Sequence, residues 1–451
     1  MIKYFIRFSV LLSASVYAQT VAQKLESSVN SLMNSPQAIA ANLSVYVADD
    51  SGQLVYEYQG NKGLSTASTQ KIFTAATALE ALGKDYKYTT TASYSGKISN
   101  TVLAGEMYIF SNGDPTLGSW RYEGYKPEDF LRKLTEAVKA QGISTITGNL
   151  VVDDSYFDFQ NIPGGWPWND IGNYYGAGVW GTNWRENQFD IQMNGKEIKN
   201  FNVNLPGVQW VNDLSTAGNS DQSIIYTAPH SDVAYIQGSL PAKNITVSGA
   251  TPNPPKLLGE ESKKWLKNNG IEIQGRVKTA SELRIAGEKI KFPQNNAFFT
   301  YKSPTLDKIL YWFLRKSVNF YGETLIKTLA REKKDSGSFR AGTDYLKEFW
   351  KSKGINPLMI NFADGSGLSP QNYVSAKAEV QALLWAKSRP WFSSYFDGFP
   401  TQTNGMKMKS GSMKDVKSFA GYHNGYVFSV IINNYQGGST DALYKILNNL
   451  K

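Results

Sequence analysis

Residues 65–83 read STASTQKIFTAATALEALG, a Ser/Thr-rich approach that becomes a helix and then stops. Apolar residues recur at Ile72, Phe73, Ala76, Leu79 and Leu82, and Gly83 supplies the C-terminal stop. Ser68 and Lys71 sit three apart at the start of this helix, so their side chains share a face. A serine hydroxyl is a poor nucleophile until a neighbouring base takes its proton. Lys71 meets that need only if its pKa falls toward neutrality, through burial and nearby positive charge. Ser68 is the only serine in the chain with a lysine three residues on. Taken alone, the pair is also compatible with a solvated lysine on an amphipathic helix.

Upstream, residues 43–58 alternate apolar and polar positions around Asp49-Asp50-Ser51-Gly52, which predicts a hairpin. Downstream, Ser303-Pro304 opens a helical stretch with Leu306, Ile309, Leu310, Phe313 and Leu314 on one side. Within it Ser317-Val318-Asn319 places weak helix formers between apolar turns, which predicts a break with polar work to do. Ser317 is then a candidate proton relay between Lys71 and a leaving group, and Asn319 a candidate substrate orienter. Further on, Lys409-Ser410-Gly411-Ser412 opens an edge-strand-like segment. A lysine beside a hydroxyl suits a substrate carboxylate, and Gly411 permits close backbone approach. The Ser412 N–H offers an oxyanion donor, and Lys409 is the candidate second lysine that lowers the Lys71 pKa. An Asn424-Gly425 turn, an apolar strand from Val427 to Ile432 and a helix from Asp441 to about Leu447 close the chain.

The middle, from about residue 84 to about 299, has short alternating runs and many Gly, Asn and Pro residues. A single catalytic domain split by a β-rich insertion follows, since 451 residues exceed one ordinary core. The first residues, MIKYFIRFSVLLSASVYAQT, have a basic start, a short apolar run and a small-residue site, which predicts a secretory signal over residues 1–18 cut between Ala18 and Gln19. The expected place of action is the periplasm. With no cysteines, a thiol nucleophile, a disulfide framework, a lipid anchor on cysteine and cysteine-based zinc sites are all excluded. Formal net charge is +9, or about +7 once Lys3 and Arg7 leave with the signal. That excess serves solubility, or it draws the chain to an anionic cell wall or membrane surface; no Lys/Arg-rich run favours nucleic acid.

Competing chemistries are poorly supplied. The two histidines, His230 and His423, have no G-x-S-x-G nearby, and H-E-x-x-H, Walker and Rossmann patterns are absent. The Asp153-Asp154 pair reads as a structural turn feature. By contrast S-x-x-K, S-x-N and K-[ST]-G occur in that order, the set used by serine acyl-transferases.

With those motifs stand NGDPTL (112–117), VVDDSYFD (151–158), GWPWND (165–170), KSVNFYGETLIKTL (316–329) and DGSGLS (364–369). Over nearly its whole length the sequence resembles the class C low-molecular-mass penicillin-binding proteins, the DacB-type D-alanyl-D-alanine carboxypeptidases/endopeptidases. The resemblance implies an α/β, multi-domain fold: a β-lactamase/transpeptidase-like domain with a five-stranded antiparallel sheet flanked by helices. It implies catalytic segments 19–84 and 297–451, an insertion domain at 85–188 and 252–296, and a nested one at 189–251. It also implies Ser68 as nucleophile, Lys71 as base, Ser317 as relay and Asn319 as partner of the substrate amide. Lys409 and Ser410 would hold the terminal carboxylate beside Gly411, with the Ser68 and Ser412 amides as oxyanion hole. The partners implied are peptidoglycan stem peptides and β-lactam antibiotics, and neither metal nor cofactor is required.

Departures fall at the subsite for the stem-peptide side chain. Its acidic and aromatic residues match Asp170 and Tyr175, but an arginine of some members is Pro370 here and a glutamine is Lys414. Lys414 is expected to replace the arginine as carboxylate partner while Asp170 meets the substrate amine; a relaxed pocket is the alternative. The aromatics Trp166, Trp168, Tyr174, Trp180 and Trp184 could stack on glycan sugars, but a core role is the expected one for all of them, with a site role for Tyr175. A β-lactamase and a catalytically silent wall-binding scaffold are the competing readings of the whole. The first would discharge a penicillin adduct within seconds, and the second would form none.

Overall fold

The computed structural model describes residues 19–451. The secretory signal read in residues 1–18 lies outside the described residues. The 43–58 alternation forms β1 (Asn42–Asp49) and β2 (Leu54–Tyr58), paired antiparallel across the Asp49 turn. The C-terminal alternation forms β3 (Met408–Met413), β4 (Val416–His423) and β5 (Tyr426–Asn433). All five strands join in one antiparallel sheet ordered β2-β1-β5-β4-β3, which makes β3 an edge. Asn424 and Gly425 both take positive φ, 46° and 81°, as a two-residue hairpin turn needs.

One face of this sheet packs on α1 (Val21–Met33) and on α6 (Ser439–Leu447), burying Leu25, Val29, Val45, Phe419, Val430 and Leu443 together. On the other face α2 (Lys71–Leu82), α3 (Leu306–Arg315), α4 (Asn319–Lys334) and α5 (Ala376–Lys387) share one core, with α5 laid directly against the sheet and α2 packed on the other three helices. The predicted apolar side of α3 is buried in full: Leu306, Ile309, Leu310, Phe313 and Leu314. The α2 helix is buried nearly all round from Lys71 to Leu79, so it is the central post of this half. The expected five-stranded sheet with helices on both faces is therefore present.

The intervening segment carries its own sheets. One has five strands in the order Val277–Thr279, Leu150–Asp153, Met107–Ser111, Thr89–Tyr94, Ala297–Lys302. Its last strand pairs antiparallel with Thr89–Tyr94, so Ala297–Lys302 goes with this sheet and not with the catalytic segment that was expected to begin at 297. Residues 188–250 form two three-stranded sheets, one built on Gln188–Asn194 and one on Val233–Leu240. Asp154 is buried with its carboxylate on the Ser281 N–H and hydroxyl, the structural role expected of that pair. No helix of the described residues is long and apolar enough to cross a membrane.

Candidate active site

The serine and lysine of the first motif lie on two successive helices. Ser68 belongs to a single 3-10 turn, Ala67–Gln70, which leads directly into α2 at Lys71. At the second position of that turn its N–H has no intrahelical acceptor. Ala67 holds φ of 48°, a left-handed conformation rare for alanine, which kinks the chain just before the serine. Gly367, at φ of 86°, packs its Cα against the Ala67 carbonyl, where a Cβ would collide. Backbone strain and close packing thus aim Ser68 at the groove beside β3.

Lys71 is fully buried, and its Nζ lies 2.9 Å from Ser68 Oγ, 2.7 Å from Asn319 Oδ1 and 2.6 Å from the Ser366 carbonyl oxygen. Burial lowers its ammonium to about 7, against an upward pull from the Asp364 and Glu323 carboxyls. Of the two expected causes, burial acts as expected, while the charge of Lys409 does not; it is Lys409 whose ammonium is lowered by Lys71. A neutral amine has two hydrogens and one lone pair. The Asn319 and Ser366 oxygens can only accept, so they take the two hydrogens. The lone pair is left facing the Ser68 hydroxyl, as a general base requires.

The second motif sits in the break between α3 and α4. Ser317 takes φ of 56°, which turns the chain so that Asn319 begins α4. Asn319 accepts from Lys71 and donates from Nδ2 to the Tyr175 carbonyl at 2.9 Å. It therefore braces the base against the intervening segment. Ser317 Oγ accepts from Lys409 Nζ at 3.1 Å, not from Lys71, so the relay candidate is tied to the third motif.

The third motif lies on β3. Lys409 is 1% exposed and also donates to its neighbour's carbonyl, Ser410, at 2.7 Å. Burial, then the charges of Lys71 and Lys417, push its ammonium well below the ordinary range. Gly411 is where the strand meets the nucleophile. A Cβ there would collide with the Thr66 carbonyl and Ser418 Oγ, and would lie 2.9 Å from the Ser68 amide nitrogen. Thr69 Oγ1 and Ser418 Oγ, 3.0 Å apart, stitch the serine turn to β4 behind it.

Several functional groups lie outside the three catalytic motifs. The Asp364 carboxylate, buried, accepts from Gly367 N at 2.7 Å, Ser369 N at 2.6 Å, Asn372 Nδ2 at 2.9 Å and Trp166 Nε1 at 2.9 Å. That wheel of donors fixes loop 364–369 and so the Ser366 carbonyl on Lys71. Glu323, buried and pushed up to about 8 by desolvation, accepts from Gly365 N at 3.0 Å and anchors the same loop to α4. DGSGLS marks this loop in sequence, but a backbone carbonyl has no residue signal.

At the proposed side-chain subsite, Tyr175 donates to Asp170 Oδ1 at 3.3 Å, and burial raises the Asp170 carboxyl. Lys414 is exposed in the two-residue turn between β3 and β4 and forms no ion pair among the described residues. Trp166, Trp180 and Trp184 are buried as expected. Trp168 and Tyr174 are not core: they are 55% and 53% exposed, on the loop that carries Asp170 and Tyr175. Trp168 lies tilted against Tyr226, and Tyr174 meets Tyr175 edge-on. No group of acidic or histidine side chains among the described residues could hold a metal ion.

Comparison with known proteins gives this chain a family and a set of relatives. The profile of the D-Ala-D-Ala carboxypeptidase 3 (S13) family matches residues 25–448. A D-alanyl-D-alanine carboxypeptidase of an Actinomadura species is 26% identical, covering 92% of this chain and 82% of the relative. The D-alanyl-D-alanine carboxypeptidase DacB of Haemophilus influenzae is also 26% identical, covering 98% and 93%. The crystal structure of penicillin binding protein 4 (dacB) from Haemophilus influenzae superposes with a TM-score of 0.77 at 24% identity, covering 94% of this chain and 98% of that one. A second structure of that protein, complexed with a β-lactam, gives 0.72 at 22% identity.

Proposed function

The chain belongs to the D-Ala-D-Ala carboxypeptidase 3 (S13) family, and on that premise we propose how its residues divide the work. It is a serine-type D,D-peptidase of peptidoglycan stem peptides, working through an acyl-enzyme that penicillin can also form. Lys71 takes the Ser68 proton as Oγ attacks the carbonyl carbon of the penultimate D-alanine. The oxyanion is met by the N–H groups of Ser68 and Ser412, fixed dipoles that need no rearrangement. As the C–N bond breaks, the leaving amine takes a proton from the Lys71 ammonium directly, or from the Ser317 hydroxyl if that group, held by Lys409 in the resting site, turns to take the Lys71 proton. Ser317, accepting from Lys409, has its own hydrogen free to give. Water then attacks the Ser68 ester, Lys71 again acting as base, and the shortened peptide leaves with Ser68 reprotonated.

The observation that carries this reading is the placement of Lys71 Nζ 2.9 Å from Ser68 Oγ with its other two polar contacts both acceptors. Intact-mass spectrometry after brief exposure to benzylpenicillin tests it. The expected result is one adduct, mapped to Ser68, that persists for minutes and is missing from Ser68→Ala. No adduct on folded protein overturns the acyl-enzyme. An adduct that disappears within seconds moves the chain to β-lactamase chemistry.

The site's position at a split core supports the insertion scheme, with residues 85–188 and 252–302 around a nested 189–251, the second segment now taking in the strand Ala297–Lys302. The export signal read in residues 1–18 supports action in the periplasm, where stem peptides are found. A mature N-terminus at Gln19 in the periplasmic fraction is the expected finding, and an uncut cytoplasmic chain would refute it.

A further inference from the structure

Lys417 was not singled out by any motif, yet it stands at the edge of the site. In the β3–β4 register it lies directly opposite Ser412, and its Nζ donates to Ser412 Oγ at 2.7 Å. Two facts set it apart from the other lysines. Lys71 and Lys409 are buried, with their Nζ atoms committed to serine, asparagine and carbonyl oxygens inside the protein. Lys417 is half-buried, has one hydroxyl partner, and its other N–H groups make no hydrogen bond among the described residues. None of the ion pairs among the described residues involves any of the three. A partly desolvated cation without a counter-ion, beside an edge strand open on one side, fits an anionic extended peptide.

The role assigned to Lys417 rests on the D,D-peptidase function. The leaving residue of such a substrate has a carboxylate next to the scissile amide. Lys409, sequestered beneath β3 and driven toward neutrality by its surroundings, is badly placed to meet that charge alone. We propose that Lys417 is the cation that reads the carboxylate of the leaving D-amino acid, acting beside the Ser412 hydroxyl at the rim of the groove. Lys409 then serves chiefly to hold Ser317, and Lys414, in the turn beyond, has no part in this recognition.

The test is a pair of N-acylated peptides ending in D-Ala-D-Ala, one a free acid and one its C-terminal amide. For Lys417→Met, kcat/KM on the acid is expected to fall about 10- to 100-fold, mainly through KM, as for loss of a charge-assisted contact. On the amide it should change by less than about threefold, and Lys417→Arg should recover most of the loss on the acid. Equal losses on acid and amide would mean that Lys417 only braces β3, and an unchanged acid-to-amide ratio would likewise overturn the proposal. Should Lys417→Met melt early, Lys417→Gln, which retains a donor to Ser412, is measured against the same two peptides. Benzylpenicillin labelling of Ser68 in the wild type separates the two levels. If labelling succeeds while the acid-to-amide ratio is insensitive to Lys417, only this proposal falls. If wild type neither labels nor hydrolyses either peptide, the peptidase function itself falls.

Discussion

Lys71 is the side chain on which the chemistry turns, and its environment fixes the pH at which it can act. Its ammonium is lowered to about 7 chiefly by burial, and it is the neutral form that accepts the Ser68 proton. The neutral fraction grows as pH rises through 7, so acylation should be slow at pH 5.5, half-maximal near 7 and level above about 8. The second-order rate of penicillin acylation between pH 5.5 and 9 checks this; a flat profile would remove Lys71 as the base. Lys71→Arg keeps the charge but not the function, because a guanidinium does not deprotonate in this range. Its acylation rate should fall by at least about 100-fold, the usual lower bound for loss of a general base. The chemistry of this residue was legible in sequence because S-x-x-K is local. Burial could be named as a requirement, but the groups that bury it could not. Desolvation depends on Phe313, whose ring centroid is 5.7 Å from Nζ, and on a wall built from residues hundreds of positions away.

At the scale of elements, the critical contact is β3 against the serine turn. Gly411 is the point where no side chain fits, with the Thr66 carbonyl, Ser418 Oγ and the Ser68 amide all within reach of a Cβ. Gly411→Ala should keep the sheet, at an overpacking cost of about 1–3 kcal/mol, but push β3 away from Ser68. A displacement of that kind can cost about 100-fold in rate, so penicillin labelling should slow by roughly that factor while circular dichroism is unchanged. Labelling at the wild-type rate would show that β3 and the turn tolerate separation. The elements themselves were readable: the 42–58 hairpin, the apolar side of α3, the break at Ser317 and the Asn424-Gly425 turn all follow from local periodicity and turn chemistry. What was not readable is what those elements touch. The Ser412–Lys417 pairing is set by the two-residue turn at 414–415, and a shift of one residue would have sent Lys417 to the other face. Trp168 and Tyr174 look like core by composition, but their loop projects, so burial could not be inferred from residue type.

At the scale of the whole molecule, two apolar cores, one around α2 and one within the intervening segment, are tied by buried and partly buried polar contacts. Four of these converge on α4 or the loop it holds: Trp166 on Asp364, the Tyr175 carbonyl on Asn319, Asp158 on Lys327, and Glu186 on Tyr321. The helix that starts with the second motif is therefore shared property of both halves, which explains why so long an insertion does not leave the site loose. Glu186 is the best point to test this. It is 3% exposed and accepts from Tyr321 Oη at 2.6 Å, Ser119 Oγ at 2.6 Å and Arg121 Nε at 3.0 Å. Arg185, Glu186 and Asn187 all hold φ of 53°, so three consecutive residues stay in the left-handed region to deliver that carboxylate. Removing one partner of a buried pair costs about 3–5 kcal/mol because the other charge is left uncompensated. At about 2 °C per kcal/mol for a large domain, Glu186→Ala should lower Tm by roughly 5–10 °C. Glu186→Gln retains an acceptor for Tyr321 and should lose less than half as much. Because Tyr321 lies between Asn319 and Glu323, the alanine variant should also slow penicillin labelling of Ser68 at temperatures where it is still folded. A variant that melts early but labels at the wild-type rate would confine Glu186 to stability and separate the seam from the site. A variant unchanged in both would show that the apolar cores alone hold the two halves together.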